Sequence, residues 1–136
     1  MFDNYMIEIF IIAFIHILII LFVLIIPFTN YNYLIIFHII SVPFIILHWV
    51  TNDNKCVLTL IEKHYKEKIY NKKFDDDEIF FYKLISPIYD FNKNNDDYSI
   101  LIYMGTIILW CISVIRLSLK IYNNKITSYD EFFYSK

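Results

Sequence analysis

With 136 residues, 58% of them apolar, and a formal charge of −2, the chain makes one domain at most. It is more apolar than the soluble norm of roughly 45–50% and lacks the basic excess of a nucleic-acid binder. Two cysteines, Cys56 and Cys111, make no disulfide framework; helical rise separates their depths by about 18 Å, too far for a bridge. Ile, Phe, Tyr, Asn and Lys predominate over Ala and Gly. That is the imprint of an A+T-rich genome, as in some large DNA viruses or protists, and a viral source would make a virion or host membrane the expected location.

The apolar residues fall in blocks. The first runs from about Ile7 to Phe28, with Glu8 near one end and His16 inside. It carries Asp3 and Glu8 ahead of it and no Lys or Arg, and no small-residue cleavage site follows, so a retained helix is expected rather than a signal peptide. The second block runs from about Tyr33 to Val50. Only "TNYN", residues 29–32, separates the two, which forces an antiparallel hairpin whose Pro27 and Tyr31 suit a turn at headgroup level. Pro43 lies inside the second block. It removes a backbone donor and kinks the helix, and a bundle tolerates this when a neighbour satisfies the carbonyl left open.

Residues 51–98 are polar and hold Lys55, Lys63, Lys66, Lys68, Lys72, Lys73, Lys83 and Lys93. Within them, about 60–71 predicts an amphipathic interfacial helix in which Ile61, Tyr65 and Ile69 recur every four residues. The apolar stretch at 78–91 is interrupted by Pro87 and too short to span, which suits a re-entrant or interfacial segment. "NKNNDD" then turns the chain into a third span, about 99–119. A bilayer core needs roughly 20 helical residues, and each of the three blocks approaches or meets that length. The positive-inside rule leans towards placing 51–98, and with it the N-terminus, in the cytoplasm; Arg116, Lys120, Lys125 and Lys136 lie on the other side.

Polar residues inside spans are costly and turn towards the bundle interior. His38, Ser41 and His48 fall in one stripe of the second span, about 80° wide at 100° per residue. Ser99, Thr106 and Ser113 repeat every seven residues in the third, a small-polar seam that lets helices approach. Counted from the hairpin turn, His16 and His48 lie about 18 and 22 Å deep and His38 about 7 Å. His16 and His48 are therefore the candidate pair for a haem, against the blander reading of interhelical hydrogen bonds.

The stretch "HWVTNDNKCVLTLIEKHY", 48–65, reads as a corner rather than an active site. Trp49 anchors the end of the second span and Asn52 to Asn54 turn the chain. Thr59 and Glu62 have the spacing of a capping box for the next helix; the alternative is that Glu62 is a functional carboxylate at the membrane surface. Cys56 has no role in a corner, and His48, Cys56 and His64 match no zinc spacing. Glu8 and Arg116 can each snorkel to their own interface. Asp75 to Glu78 lack the glycine of a calcium loop.

His16 with the "ILIILFVLIIPF" that follows, His38 and "CVLTLIE" (56–62) together resemble a family of small bacterial multi-pass membrane proteins of unknown function. That family has a His in helix 1, a His early in helix 2 and a C-P-L-T-x-x-E element, and its next stretch is similar to "FFYKLISPIYDF" (80–91). This chain departs from it at Val57, where the family has proline. The resemblance covers about 10–118; it implies an architecture and marks positions, and it implies no reaction.

The expectation is an all-α integral membrane helical bundle in a single membrane domain, 1–136, with 120–136 as a polar tail. Its partners are the lipid bilayer and copies of itself or other membrane proteins, with no nucleic acid, no metal and no catalytic residue. The leading function is a non-enzymatic structural or assembly component of a membrane. The alternatives are a haem-binding or redox protein using His16 and His48, and an oligomeric pore.

Overall fold

The computed structural model describes residues 2–52, 55–75, 78–87 and 98–133. Every regular element among them is helical. Helix α1 (Phe2–Ile25) passes into a 3-10 turn (Ile26–Phe28), followed by α2 (Asn32–Thr51), α3 (Val57–Tyr70), α4 (Phe80–Ile85), α5 (Tyr98–Tyr122) and the short α6 (Asp130–Phe133). Met6–Phe28, Asn32–Thr51 and Ile100–Tyr122 are long and apolar enough to cross a membrane. The longest of them measures about 34 Å at 1.5 Å per residue, enough for the hydrocarbon core. The chain is an all-α membrane protein with three candidate spans, located where the sequence blocks lie.

The helix ends are set by local chemistry. Both the amide and the hydroxyl of Thr29 donate to the Ile26 carbonyl, closing the 3-10 turn. Helix α5 ends in a Schellman arrangement: the Asn124 amide donates to Ile121, and the Lys125 amide reaches back to Lys120. Asn124 sits in the left-handed region at φ 54, where asparagine is among the residues best tolerated. Asn71, the C-cap residue of α3, is left-handed too, at φ 50.

Two expectations need correcting. Helix α3 begins at Val57, with Cys56 as its N-cap residue and no side-chain cap from it. Thr59 is therefore the third helical residue, not the cap, and the expected capping box does not form. The apolar recurrence of Ile61, Tyr65 and Ile69 also misreads the inward face: Ile61 is exposed, while Thr59 and Glu62 are buried. Glu62 turns inward because the Lys66 ammonium and the Phe80 amide meet its carboxylate there. Within 78–91, α4 has six residues, about 9 Å of rise, and positions 88–91 and the "NKNNDD" turn lie outside the described residues.

By packing, the chain divides into two compact units, one of Met1–Ile19 with His48–Tyr98, the other of Ile20–Leu47 with Ser99–Lys136. In the first, Ile12, His16, Thr59, Glu62 and Ile79 are buried. In the second, the buried set is Val23, Pro27, Asn32, Ile35, His38, Val42, Thr106, Ser113 and Ile126. The 3-3-4 spacing of Asn32, Ile35, His38 and Val42 makes one face of α2, as a period near 3.6 requires.

Candidate functional site

In the first unit a carboxylate is taken fully out of solvent. Glu62 is 0% exposed, on the inward face of α3. Its Oε1 meets the Lys66 ammonium at 2.5 Å, one helical turn on, and accepts the Phe80 amide at 3.0 Å. That amide is the first of α4, so Glu62 caps the short helix from a distance of eighteen residues. Lys66 also donates to the Glu78 carbonyl at 3.3 Å, next to the fully buried Ile79 in sequence. The Glu62 charge acts on the imidazole of His16, buried on α1. Among the described residues, Glu62 Oε2 and Glu8 Oε2 are buried carboxylate oxygens with no hydrogen-bond partner.

A buried carboxylate is costly unless its charge and lone pairs are met. Here Lys66 neutralises the charge and the Phe80 amide takes part of one oxygen. The second oxygen keeps its acceptor capacity. Chemically, this arrangement lacks a hydrogen-bond donor and has room in its valence for one.

His48 has a different task. Its Nε2 accepts the Val57 amide at 3.1 Å, so the imidazole caps the first amide of α3 in place of the hydroxyl expected from Thr59. The His48 carbonyl accepts from Thr51 Oγ1 at 3.0 Å and Asn52 Nδ2 at 2.8 Å. The Asn52 amide returns to the Trp49 carbonyl, and the Lys55 amide to Asn52. The described residues from His48 to Val57 thus form the expected corner. Asn54 lies outside the described residues. Cys56 is half-buried and free, and His64 stacks edgewise on Tyr65.

In the second unit the two expected stripes meet. His38, fully buried, lies 3.3 Å from the Val23 carbonyl through Nε2 and 3.0 Å from Ser113 Oγ through Nδ1. A carbonyl can only accept, so the ring proton sits on Nε2, and Ser113 donates to Nδ1. One histidine thereby ties α1, α2 and α5, with Phe22 against its ring. Pro43 deprives the Ile39 carbonyl of its helical donor, and Trp110 Nε1 supplies one at 2.9 Å. Helix α2 runs unbroken through that proline.

At the hairpin turn, Arg116 donates to the Pro27 carbonyl and to Asn30 Oδ1 at 3.1 Å. Lys120 donates to the Asn30 carbonyl at 2.9 Å and to Asn32 Oδ1 at 2.6 Å. Arg116 therefore does more than snorkel: it supports the turn, whose carbonyls have no helical donor.

The structure puts His16 within reach of the Glu62 charge, uses His48 and Asn52 in the corner, and leaves the Cys56 thiol free. The Glu62–Lys66 pair was legible as an i, i+4 spacing. The bond to the Phe80 amide and the charge felt at His16 were not, since neither follows from spacing. Among the described residues no group of three or more His, Cys, Asp or Glu could hold a metal ion. Comparison with family models, curated proteins and solved structures finds no match to this chain.

Proposed function

We propose that the chain is a small non-enzymatic membrane component whose working part is the enclosed Glu62 site. There one small protic species, such as water or an ammonium ion, completes the carboxylate beside His16. The observation that carries this reading is the unmet Glu62 Oε2 in a fully buried side chain; ionisable groups inside membrane domains mark functional positions by default. The resemblance to the small bacterial membrane proteins points to the same element, since "CVLTLIE" ends on Glu62. Functional sites are commonly held at a cost to stability, and this gives the test. The double variant Glu62→Gln with Lys66→Met keeps an acceptor for Phe80, offers a donor in place of the unmet oxygen and leaves neither charge unpaired, so it is expected to melt in detergent at or above the wild-type temperature. A marked drop in melting temperature would make Glu62 a structural tie and remove the reading.

Two other readings keep specific support. Assembly with copies of itself or other membrane proteins is favoured by the broad outward faces of the spans, which expose Phe10, Phe14, Phe37 and Phe44; native mass spectrometry from nanodiscs tests it. Haem held by His16 and His48 rests on their shared depth, but requires His48 Nε2 to release the Val57 amide. A Soret band lost in His48→Ala would support it, and a colourless protein after haem-supplemented expression would sink it. The pore loses support because the polar stripes of α2 and α5 are spent on each other at His38 and Ser113. The A+T-type composition supports a viral source and a virion or host membrane.

A further inference from the structure

A second feature lies at the hairpin end of the second unit and owes nothing to Glu62. Arg116 and Lys120 converge on one residue, Asn30, the first on its side-chain oxygen and the second on its carbonyl. The Schellman end of α5 then brings Lys125 alongside. In that motif the sixth and first residues of the 6→1 bond, here Lys125 and Lys120, are the pair whose side chains usually make an apolar contact. Two ammonium groups occupy the positions instead, and the charges of both Arg116 and Lys125 act on Lys120.

Every acceptor of Arg116 and Lys120 is a neutral oxygen: Pro27 O, Asn30 Oδ1, Asn30 O and Asn32 Oδ1. Among the described residues none of the three cations is paired with a carboxylate. A helix C-terminus offers about half a negative charge, well short of three positive ones. The Glu131 carboxylate is directed to the Thr127 and Ser128 amides of its own turn.

The place is the end of a candidate span, Ile100–Tyr122. Tyr31 and Tyr33 lie at the same hairpin, their rings 5.8 Å apart, and Tyr122 is exposed. Tyrosines of this kind sit at the headgroup level of a bilayer. A preorganised, uncompensated cationic cluster at that depth has one abundant complement, a phosphate monoanion.

We propose that Arg116, Lys120 and Lys125 form a binding site for the phosphate of an anionic phospholipid in the surrounding leaflet. Arg116 and Lys120 are pinned to the turn and fix the geometry, while exposed Lys125 closes over the headgroup.

The test uses the full chain in nanodiscs of equal phosphatidylglycerol and phosphatidylcholine, with retained lipid read by native mass spectrometry. The wild type is expected to retain phosphatidylglycerol preferentially, less so as salt is raised. Lys125→Gln, which removes no hydrogen bond of the fold, should weaken that retention about fivefold, the value of one cation near an anionic surface. Lys73→Gln, an exposed lysine of the other unit, should leave it unchanged. Equal retention of the two lipids would overturn the proposal, as would an unchanged preference in Lys125→Gln. Inorganic phosphate binding in neutral detergent, with no preference between the lipids, would assign the cluster to a free anion and overturn the lipid.

Discussion

At the residue scale the informative groups are polar side chains that have found a single partner in an apolar setting. Lys66 is the partner of Glu62, at 16% and 1% side-chain exposure. Lys66→Met would leave the carboxylate buried and unpaired, and the expected loss is about 3–5 kcal/mol. Chemical denaturation in mixed micelles measures it; a loss below about 1 kcal/mol would mean that water already reaches the carboxylate. Trp110 and Pro43 make the second case. Trp110→Phe strips the donor from the Ile39 carbonyl and should cost about 1 kcal/mol. In a Pro43→Ala background the backbone amide restored at position 43 serves that carbonyl within α2, so the same tryptophan substitution should cost much less. A double-mutant cycle reads the difference, and additive effects would refute the assigned role.

At the element scale, helix ends decide where the chain turns. Helix α3 draws its first cap from His48, nine residues earlier. Losing a cap typically costs about 1 kcal/mol of helix stability, so His48→Ala should raise hydrogen exchange across the first turn of α3 while leaving α2 protected. Unchanged exchange at 57–60 would show that the imidazole contact is incidental. At the other end, Asn71 holds a left-handed conformation. Asn71→Gly should preserve the melting temperature or raise it slightly, whereas Asn71→Val should lower it through a loss of about 1 kcal/mol or more in stability.

At the scale of the whole molecule, the three candidate spans among the described residues predict an odd number of crossings. Within the second unit, the hairpin turn and the residues after α5 already share one end, joined through Lys120 to Asn30 and through Asn32 Nδ2 to the Glu131 carbonyl. Single cysteines placed at Asn30 and Lys125, in a chain freed of Cys56 and Cys111, should react with an impermeant maleimide from the same side of sealed vesicles. A cysteine at Lys72 should react only from the other side. Labelling of all three from one side would remove a crossing and leave α5 or one arm of the hairpin outside the bilayer.

The sequence by itself determined the three apolar blocks, the hairpin and the small-polar seam of Thr106 and Ser113. It also placed His38 on an inward stripe. These depend on hydropathy summed over a window and on helical period, both local quantities. Tertiary structure alone decided which face of α3 turns inward, because burying Glu62 is favourable only where Lys66 and the Phe80 amide wait for it. It likewise decided that Trp110 serves the carbonyl opened by Pro43, seventy-one residues from its acceptor, and that Arg116 braces the turn at Pro27. In an apolar surrounding a buried polar group is governed by its partner, and a partner distant in the chain leaves no periodic signal to read.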